Sequence, residues 1–389
     1  LQQQRAARLL VVDDNADNRD VLGRRLQRLG YSDITYAADG VEAHELLAQT
    51  TFDGVLLDVM MPRMGGVELL ELMKAEGRLV DTPVIMISAA TETDIVVRCI
   101  ELGAEDYLPK PFNPTLLRAR LGSVLDKRAL RAEVRAQLSR LERDLAQARA
   151  QQLAMVPSEF PGDGSRYTIH AAMHPAREVG GDLYDCFEIT PDHLFLAVGD
   201  VSGKGMPAAL FMARARSTLR ATAMQIHELT GAIPRPADIV RLANKELCRN
   251  NESCMFITLF AGMLDLTTGE IGFVNAGHVR PIWLAADGTV SEIACPADLP
   301  LGIMDDVPHR TTSVRLQAGD ALVVITDGLP EMMDPTEAFY TQQRVMSDLQ
   351  DVAAAEPAAL IAEICDRVIK FAAEAERADD VTALAIRLR

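Results

Sequence analysis

From Thr115 to Met155 the chain contains no proline and one glycine, Gly122. With no proline and a single glycine near its start, such a run folds as one long helix. Within it Val134, Leu138, Leu141, Leu145 and Ala148 recur at 4-3-4-3 spacing, the seam of a coiled coil. At 1.5 Å per residue this helix would extend roughly 60 Å, which makes it a spacer between folded bodies and a candidate homodimerisation element. The expected organisation is a first domain over 1–122, a helical coiled-coil linker over 123–156 and a second domain over 157–389. A total of 389 residues fits two cores better than one. A cluster of Pro, Gly, Asp and Ser between Pro157 and Gly164 marks the start of the second body.

Charge removes several classes of function. Lys and Arg number 39 against 56 Asp and Glu, a net charge of −17, so the averaged field repels phosphate backbones and anionic lipid. Nucleic-acid and membrane partners are not expected. The linker is the exception: between Arg118 and Arg149 it carries nine basic and four acidic residues, which fits a solvated coiled-coil exterior or, alternatively, the docking of an acidic surface. No apolar run approaches the roughly 18 residues of a membrane span, and the opening Leu1-Gln2-Gln3-Gln4 lacks the apolar core of a secretion signal. Six cysteines without a CxxC pair fit reduced thiols. A cytoplasmic location is expected.

Between Arg8 and about Phe112, short apolar runs (LLVVDD, GVLLD, VIMIS, DYLPK) alternate with amphipathic helical stretches. That alternation predicts a doubly wound parallel α/β sheet. Ligands of such sheets collect beyond the carboxyl ends of the strands. Asp13 and Asp14, Asp58, Ser88 and Lys110 all stand at those ends. Clustered carboxylates repel unless a cation neutralises them, and an all-oxygen site open to water suits Mg²⁺.

LLVVDD, DGVLLDVMMPRMGG, VIMISA and GAEDYLPKPF, in this order, resemble the receiver domains of two-component response regulators, which implies a five-stranded sheet. The resemblance implies that Asp58 accepts phosphate from a sensor histidine kinase. It further implies that Asp13, Asp14 and the Met60 carbonyl hold Mg²⁺ with Asp58, that Lys110 pairs the phosphate and that Ser88 hydrogen-bonds it. Tyr107 falls at the switch aromatic, and Lys110-Pro111 at a cis peptide.

Beyond Gly164 many short apolar strands are punctuated by glycine turns, with helical patterns at Pro207–His227, Pro236–Asn250 and Pro357–Ala375. An α+β sandwich is expected. Carboxylates sit beside glycines in GGDLYD, GDVSGKG and TDG, and a further acidic pair stands in DDVT. Glycine lets backbone approach an ion closely, and carboxylates without nearby His or Cys suit Mg²⁺ or Mn²⁺. No GxSxG elbow or cysteine loop offers a side-chain nucleophile. Trp283, Met206 and Met212 are expected to pack in cores or against the linker.

REVGGDLYD, VGDVSGKGMPAAL, NAGHVRP, ITDGLPE and ADDVT resemble the SpoIIE-like branch of the PP2C phosphatases. The resemblance implies two divalent ions, with Asp182 bridging them, Asp200 and the Val201 carbonyl completing one site, and Asp327 with Asp379 completing the other. Asp380 competes with Asp379 for the last position. Asp182 and Asp327 would be central to catalysis, while His278 in NAGHVRP is expected to be structural. The whole order of parts resembles bacterial regulators of sigma-factor activity, whose phosphatase domains act on phosphoserine in anti-sigma-factor antagonists. It also resembles RssB-like adaptors, which deliver the stationary-phase sigma factor to a protease with a phosphatase-like domain that can be inert.

Overall fold

Leu9–Val12 (β1) alternates its side chains between two separate apolar layers, and this sets the architecture of the first unit. In the computed structural model, which describes residues 7–89, 93–162, 164–177, 179–373, 375 and 377–389, Leu10 and Val12 face one layer while Leu9 and Val11 face the other. Leu1–Gln4, and Glu178 of REVGGDLYD, lie outside the described residues. The chain divides into two compact units, 1–141 and 142–389.

In the first unit β1 joins Ile34–Ala37 (β2), Gly54–Asp58 (β3), Val84–Ala89 (β4) and Asp106–Lys110 (β5) in a parallel sheet of order β2-β1-β3-β4-β5. Gly40–Gln49 (α2), Gly66–Ala75 (α3) and Thr93–Leu102 (α4) contribute Leu47, Leu69, Met73 and Cys99 to one layer. Ala16–Arg28 (α1) and the first turns of Pro114–Leu153 (α5) contribute Leu22, Leu26, Leu117 and Leu121 to the other. The helices start where short polar side chains can accept from free N–H groups: Asn15 caps α1 and Asp39 caps α2.

Helix α5 is continuous from Pro114 to Leu153. Leu130, Val134, Leu138 and Leu141 stand on it 62%, 48%, 55% and 55% exposed. Among the described residues these large apolar side chains are left open to solvent.

The second unit contains two antiparallel sheets. Leu183–Thr190 (β7), His193–Val201 (β8), Ile257–Asp265 (β9), Glu270–Ala276 (β10) and Thr312–Arg315 (β13) form one, in the order β13-β10-β9-β8-β7. Tyr167–His174 (β6), Ile282–Leu284 (β11), Val290–Glu292 (β12), Ala321–Ile325 (β14) and Val381–Leu388 (β15) form the other, in the order β12-β11-β14-β15-β6. Their inner faces meet in a core that includes Leu196, Val198, Phe260, Leu322, Val324 and Leu384. Met206–Thr230 (α6) and Pro236–Cys248 (α7) cover the first sheet's outer face. Gln342–Asp351 (α8) and Pro357–Ala372 (α9) cover the second's. The result is a sandwich with helices segregated outside it. Met212 is buried and Trp283 packs against the inner core, but Met206 is 42% exposed, contrary to the expectation that it packs. It occupies the first position of α6, before that helix has turned its apolar face onto the sheet.

Candidate functional site

Because parallel strands point their carboxyl ends one way, the polar residues ending β1, β3, β4 and β5 share an edge. Asp13 is fully buried, Asp58 is 5% exposed and Asp14 is open to solvent. One oxygen from each lies within 4.8 Å of the others. Lys110 Nζ donates to Asp13 at 2.9 Å and to Asp58 at 2.8 Å. Burial pushes the Asp58 carboxyl above its usual range, against the pull of Lys110. For Lys110 burial opposes the charge, but the hydrogen bonds it donates to Asp58 and Asp13 outweigh it and raise its pKa. Buried Ser88 stands in register with Pro109, one step from the Asp58–Ile87 pair. Lys110-Pro111 is cis. Tyr107 is 37% exposed, with the Arg120 guanidinium 5.3 Å over its ring. Met60 follows β3 with its side chain in solvent. Asn18, which sequence reading passed over, donates to both oxygens of Asp13. Three carboxylates with one open to water fit a small hard cation.

The second cluster lies where strand ends of the two sheets meet. Asp182 precedes β7, Asp200 is near the end of β8, Asp327 follows β14 and Asp379 precedes β15. Asp182 is 1% exposed and accepts a 2.9 Å bond from Thr326 Oγ1. Burial, followed by repulsion from Asp200 and Asp380, holds its carboxyl well above the ordinary range. Asp200 is pushed up to about 7 by burial and by Asp327 and Asp379, and it adjoins Asp182, whose carboxyl it repels. Asp327 is raised by burial, Glu331 and Asp379. Lys204 Nζ stands 3.4 Å from Asp379 and bonds the Ala378 carbonyl. Carboxylates this crowded, buried at Asp182 and half-buried at Asp200, Asp327 and Asp379, are a donor set that calls for divalent cations. The cluster is looser than the first: among the described residues the receiver trio alone brings three such oxygens within 4.8 Å.

Asp379 and Asp380 occupy different surroundings. Asp380 is buried and accepts from the N–H groups of Ala176 at 2.8 Å and Gly181 at 2.6 Å. Its side chain presses on Gly180, where a Cβ would stand 2.2 Å from Oδ2, so only glycine fits. The Asp379 side chain is 41% exposed and faces Asp200 and Asp327 electrostatically. Val201 is buried at the end of β8, with its carbonyl 2.9 Å from where a Cβ on Gly181 would sit. His278 is buried, bonds Thr258 through Nδ1 at 3.0 Å, and is pushed down to about 4 by burial, so it is neutral at neutral pH. Asp185, three residues after Asp182, is buried against Arg220 (2.5 and 3.0 Å) and Arg216 (3.1 Å) of α6. The Arg216/Arg220 spacing, one helical turn, was the sequence signal for that clamp.

Residues 9–122 match the model of the response regulator receiver domain, and residues 190–389 match that of stage II sporulation protein E, SpoIIE. Protein IcfG of Synechocystis sp. is 30% identical over 243 residues, 57% of this chain and 38% of that protein. Response regulator MprA of Mycobacterium sp. (strain KMS) is 42% identical over 118 residues, 30% of this chain and 50% of that one. The chain thus spans half or less of the length of these relatives. The solved SiaA-PP2C domain of Pseudomonas aeruginosa superposes with a TM-score of 0.56 at 22% identity, covering 65% of this chain and 99% of that domain. It shares the fold. No helix among the described residues is long and apolar enough to cross a membrane. With a family model matching more than half its length, the chain belongs to the SpoIIE family, its PP2C-type phosphatase domain preceded by a response regulator receiver domain.

Proposed function

We propose that a sensor histidine kinase phosphorylates Asp58, and that this controls metal-dependent hydrolysis of phosphoserine on an anti-sigma-factor antagonist. The observation that carries the enzymatic part is the crowded set of buried Asp182 with half-buried Asp200, Asp327 and Asp379, whose mutual repulsion needs cations to offset it. In this reading the receiver, 1–122, takes Mg²⁺ on Asp13, Asp14, Asp58 and the Met60 carbonyl. The linker is 123–156, and the phosphatase domain, 157–389, takes two Mg²⁺ or Mn²⁺ ions. When bound, such a pair supplies charge for the phosphate and lowers the pKa of a shared water.

Asp182 keeps the bridging position in this reading, and Asp200, whose carboxyl is repelled by Asp327 and Asp379, completes one site beside it. Val201 adds its carbonyl, Asp182 is oriented by Thr326, and Asp379 is preferred to Asp380, whose oxygens serve backbone N–H groups. Arg177 and Lys204 line the recess beside Gly181 and Asp379 and would offset charge on the phosphoserine. In the receiver, Lys110 pairs the phosphoryl group, Ser88 bonds it and Tyr107 reports it to a partner.

The test is incubation of the full chain with Mn²⁺ or Mg²⁺ and phosphorylated antagonist proteins, with and without an acyl-phosphate donor. Release of inorganic phosphate that changes with the donor is the expected result. If no phosphoserine protein is hydrolysed, yet a sigma factor binds in an Asp58-dependent way, the protein is an adaptor instead.

The exposed stripe on α5 supports a parallel homodimer through Val134, Leu138, Leu141 and Leu145, since large apolar side chains at this spacing are otherwise left in water. Light scattering at roughly tens of micromolar should give twice the chain mass, and Leu138→Glu should return the protein to monomer. A monomeric wild type would sink the assignment.

A further inference from the structure

Gln152, in the last turn of α5, is 5% exposed and grips one residue from both sides. Its Nε2 donates to the Gly180 carbonyl at 2.5 Å, and its Oε1 accepts from the Gly180 N–H at 3.0 Å. A side-chain amide laid against a peptide group in this way satisfies both buried backbone groups at once, and no water can replace it in a closed site. Gln151, its neighbour on the same helix, is exposed.

Gly180 cannot move away from this grip. Behind it stands the Asp380 carboxylate, which also holds the N–H groups of Ala176 and Gly181. The Gly180–Gly181 backbone is therefore clamped between an amide and a carboxylate, and the next residue is Asp182. Asp182 accepts from Thr326 Oγ1 at 2.9 Å, and its carboxyl is repelled by that of Asp200. The final turn of α5 thus lies one peptide group from the segment that carries a carboxylate of the metal site.

We propose that Gln152 is a positioning residue for the metal site: through Gly180 it sets the segment bearing Asp182, and so couples metal binding to the last turn of α5. The role of Asp182 rests on the phosphatase reading above; the clamp itself does not. Partners that orient metal ligands typically change metal affinity by 10–100-fold when removed. Because coupling is reciprocal, metal binding should in turn order the end of the helix.

The test compares the full chain with Gln152→Met, which keeps the length but neither hydrogen bond, and Gln152→Glu, which keeps the acceptor and loses the donor. Gln151→Ala is the control. Three readouts are needed: the Mn²⁺ concentration for half-maximal hydrolysis of p-nitrophenyl phosphate, kcat at saturating Mn²⁺, and amide hydrogen exchange over residues 149–154 with and without Mn²⁺. Gln152→Met should raise the half-activating Mn²⁺ concentration by about 10-fold or more, keep most of kcat at saturation, and lose the Mn²⁺-dependent protection of the helix end. Gln152→Glu should fall between it and the wild type, and Gln151→Ala should match the wild type. A folded Gln152→Met with wild-type Mn²⁺ dependence and protection overturns the proposal, as does a lowered Tm with both unchanged. Should Gln152→Met fail to fold, Gln152→Glu decides by the same readouts. If the wild type hydrolyses nothing, the phosphatase reading fails, while hydrogen exchange still judges Gln152.

Discussion

Asp58→Asn is expected to abolish incorporation of phosphate from an acetyl-phosphate-type donor in Mg²⁺. Forming an acyl phosphate needs a carboxylate oxygen to attack phosphorus while the donor's acyl oxygen leaves with its electron pair, and an amide offers no such oxygen. The surroundings of Asp58 fit that step. Its carboxylate ends a buried strand, and Lys110 stands 2.8 Å away to meet the charge that arrives. Asp13 and Asp14 lie close enough to share a cation with it. The amide variant should fold, since burial already disfavours the charged form of Asp58 and an uncharged isostere relieves that cost. Intact-protein mass spectrometry would show a single hydroxylamine-sensitive phosphoryl adduct on the wild type and none on Asp58→Asn. An undiminished adduct on the variant would move the acceptor elsewhere.

How much of this is legible in the sequence depends on how far each interaction reaches along the chain. LLVV, GVLLD and VIMIS read as strands because a sheet covered on both faces needs continuous apolar runs, and the carboxylates that end them advertise their position. Asp182, Asp200 and Asp327 were visible through their glycine neighbours. The end of α6 was also written in the sequence: Gly231 at φ 68° closes the helix at Thr230, three residues past the expected His227. The difference between Asp379 and Asp380 was not legible. It arises from the N–H groups of Ala176 and Gly181, about two hundred positions away in the chain. Nor could Gln152 be told from Gln151 in a linker rich in Ala, Arg and Gln, since the residue that separates them, Gly180, belongs to another segment. Pattern reading finds elements and strand-end chemistry, whereas the hydrogen bonds that orient a site join distant segments and leave no period.

Asp200→Asn should produce the largest loss of phosphatase activity together with a gain of stability in the metal-free protein, and the pairing of those effects is what identifies a metal ligand. Losing a proposed metal-holding carboxylate that feels the charge of the other acidic groups should cut Mn²⁺-dependent hydrolysis by at least about 100-fold, the upper end of what removing a mere outer partner costs. Asp327→Asn should do the same. The stability effect follows from linkage. The Asp200 carboxyl is pushed up to about 7 in the folded, metal-free chain, while an unfolded Asp ionises near 3.9. Below about pH 4 both states hold the proton and Asp200 adds no penalty; between about pH 4 and 7 the unfolded chain gives up its proton first, so stability is lost as pH rises through that window. An amide removes the penalty. The metal-free Tm of Asp200→Asn should therefore match the wild type near pH 4 and exceed it near pH 8, by about 2–4 °C for each kcal/mol relieved in a unit of this size. Adding Mn²⁺ at pH 8 should reverse the order, stabilising the wild type strongly and the variant little, because a ligand that binds only the folded state raises its stability by mass action. Thermal melts of both proteins at the two pH values, with and without Mn²⁺, separate the possibilities. A variant less stable than wild type in the metal-free state at pH 8 would mean that Asp200 serves as a structural hydrogen-bond acceptor, like Asp380, and the metal centre would then have to be sought without it.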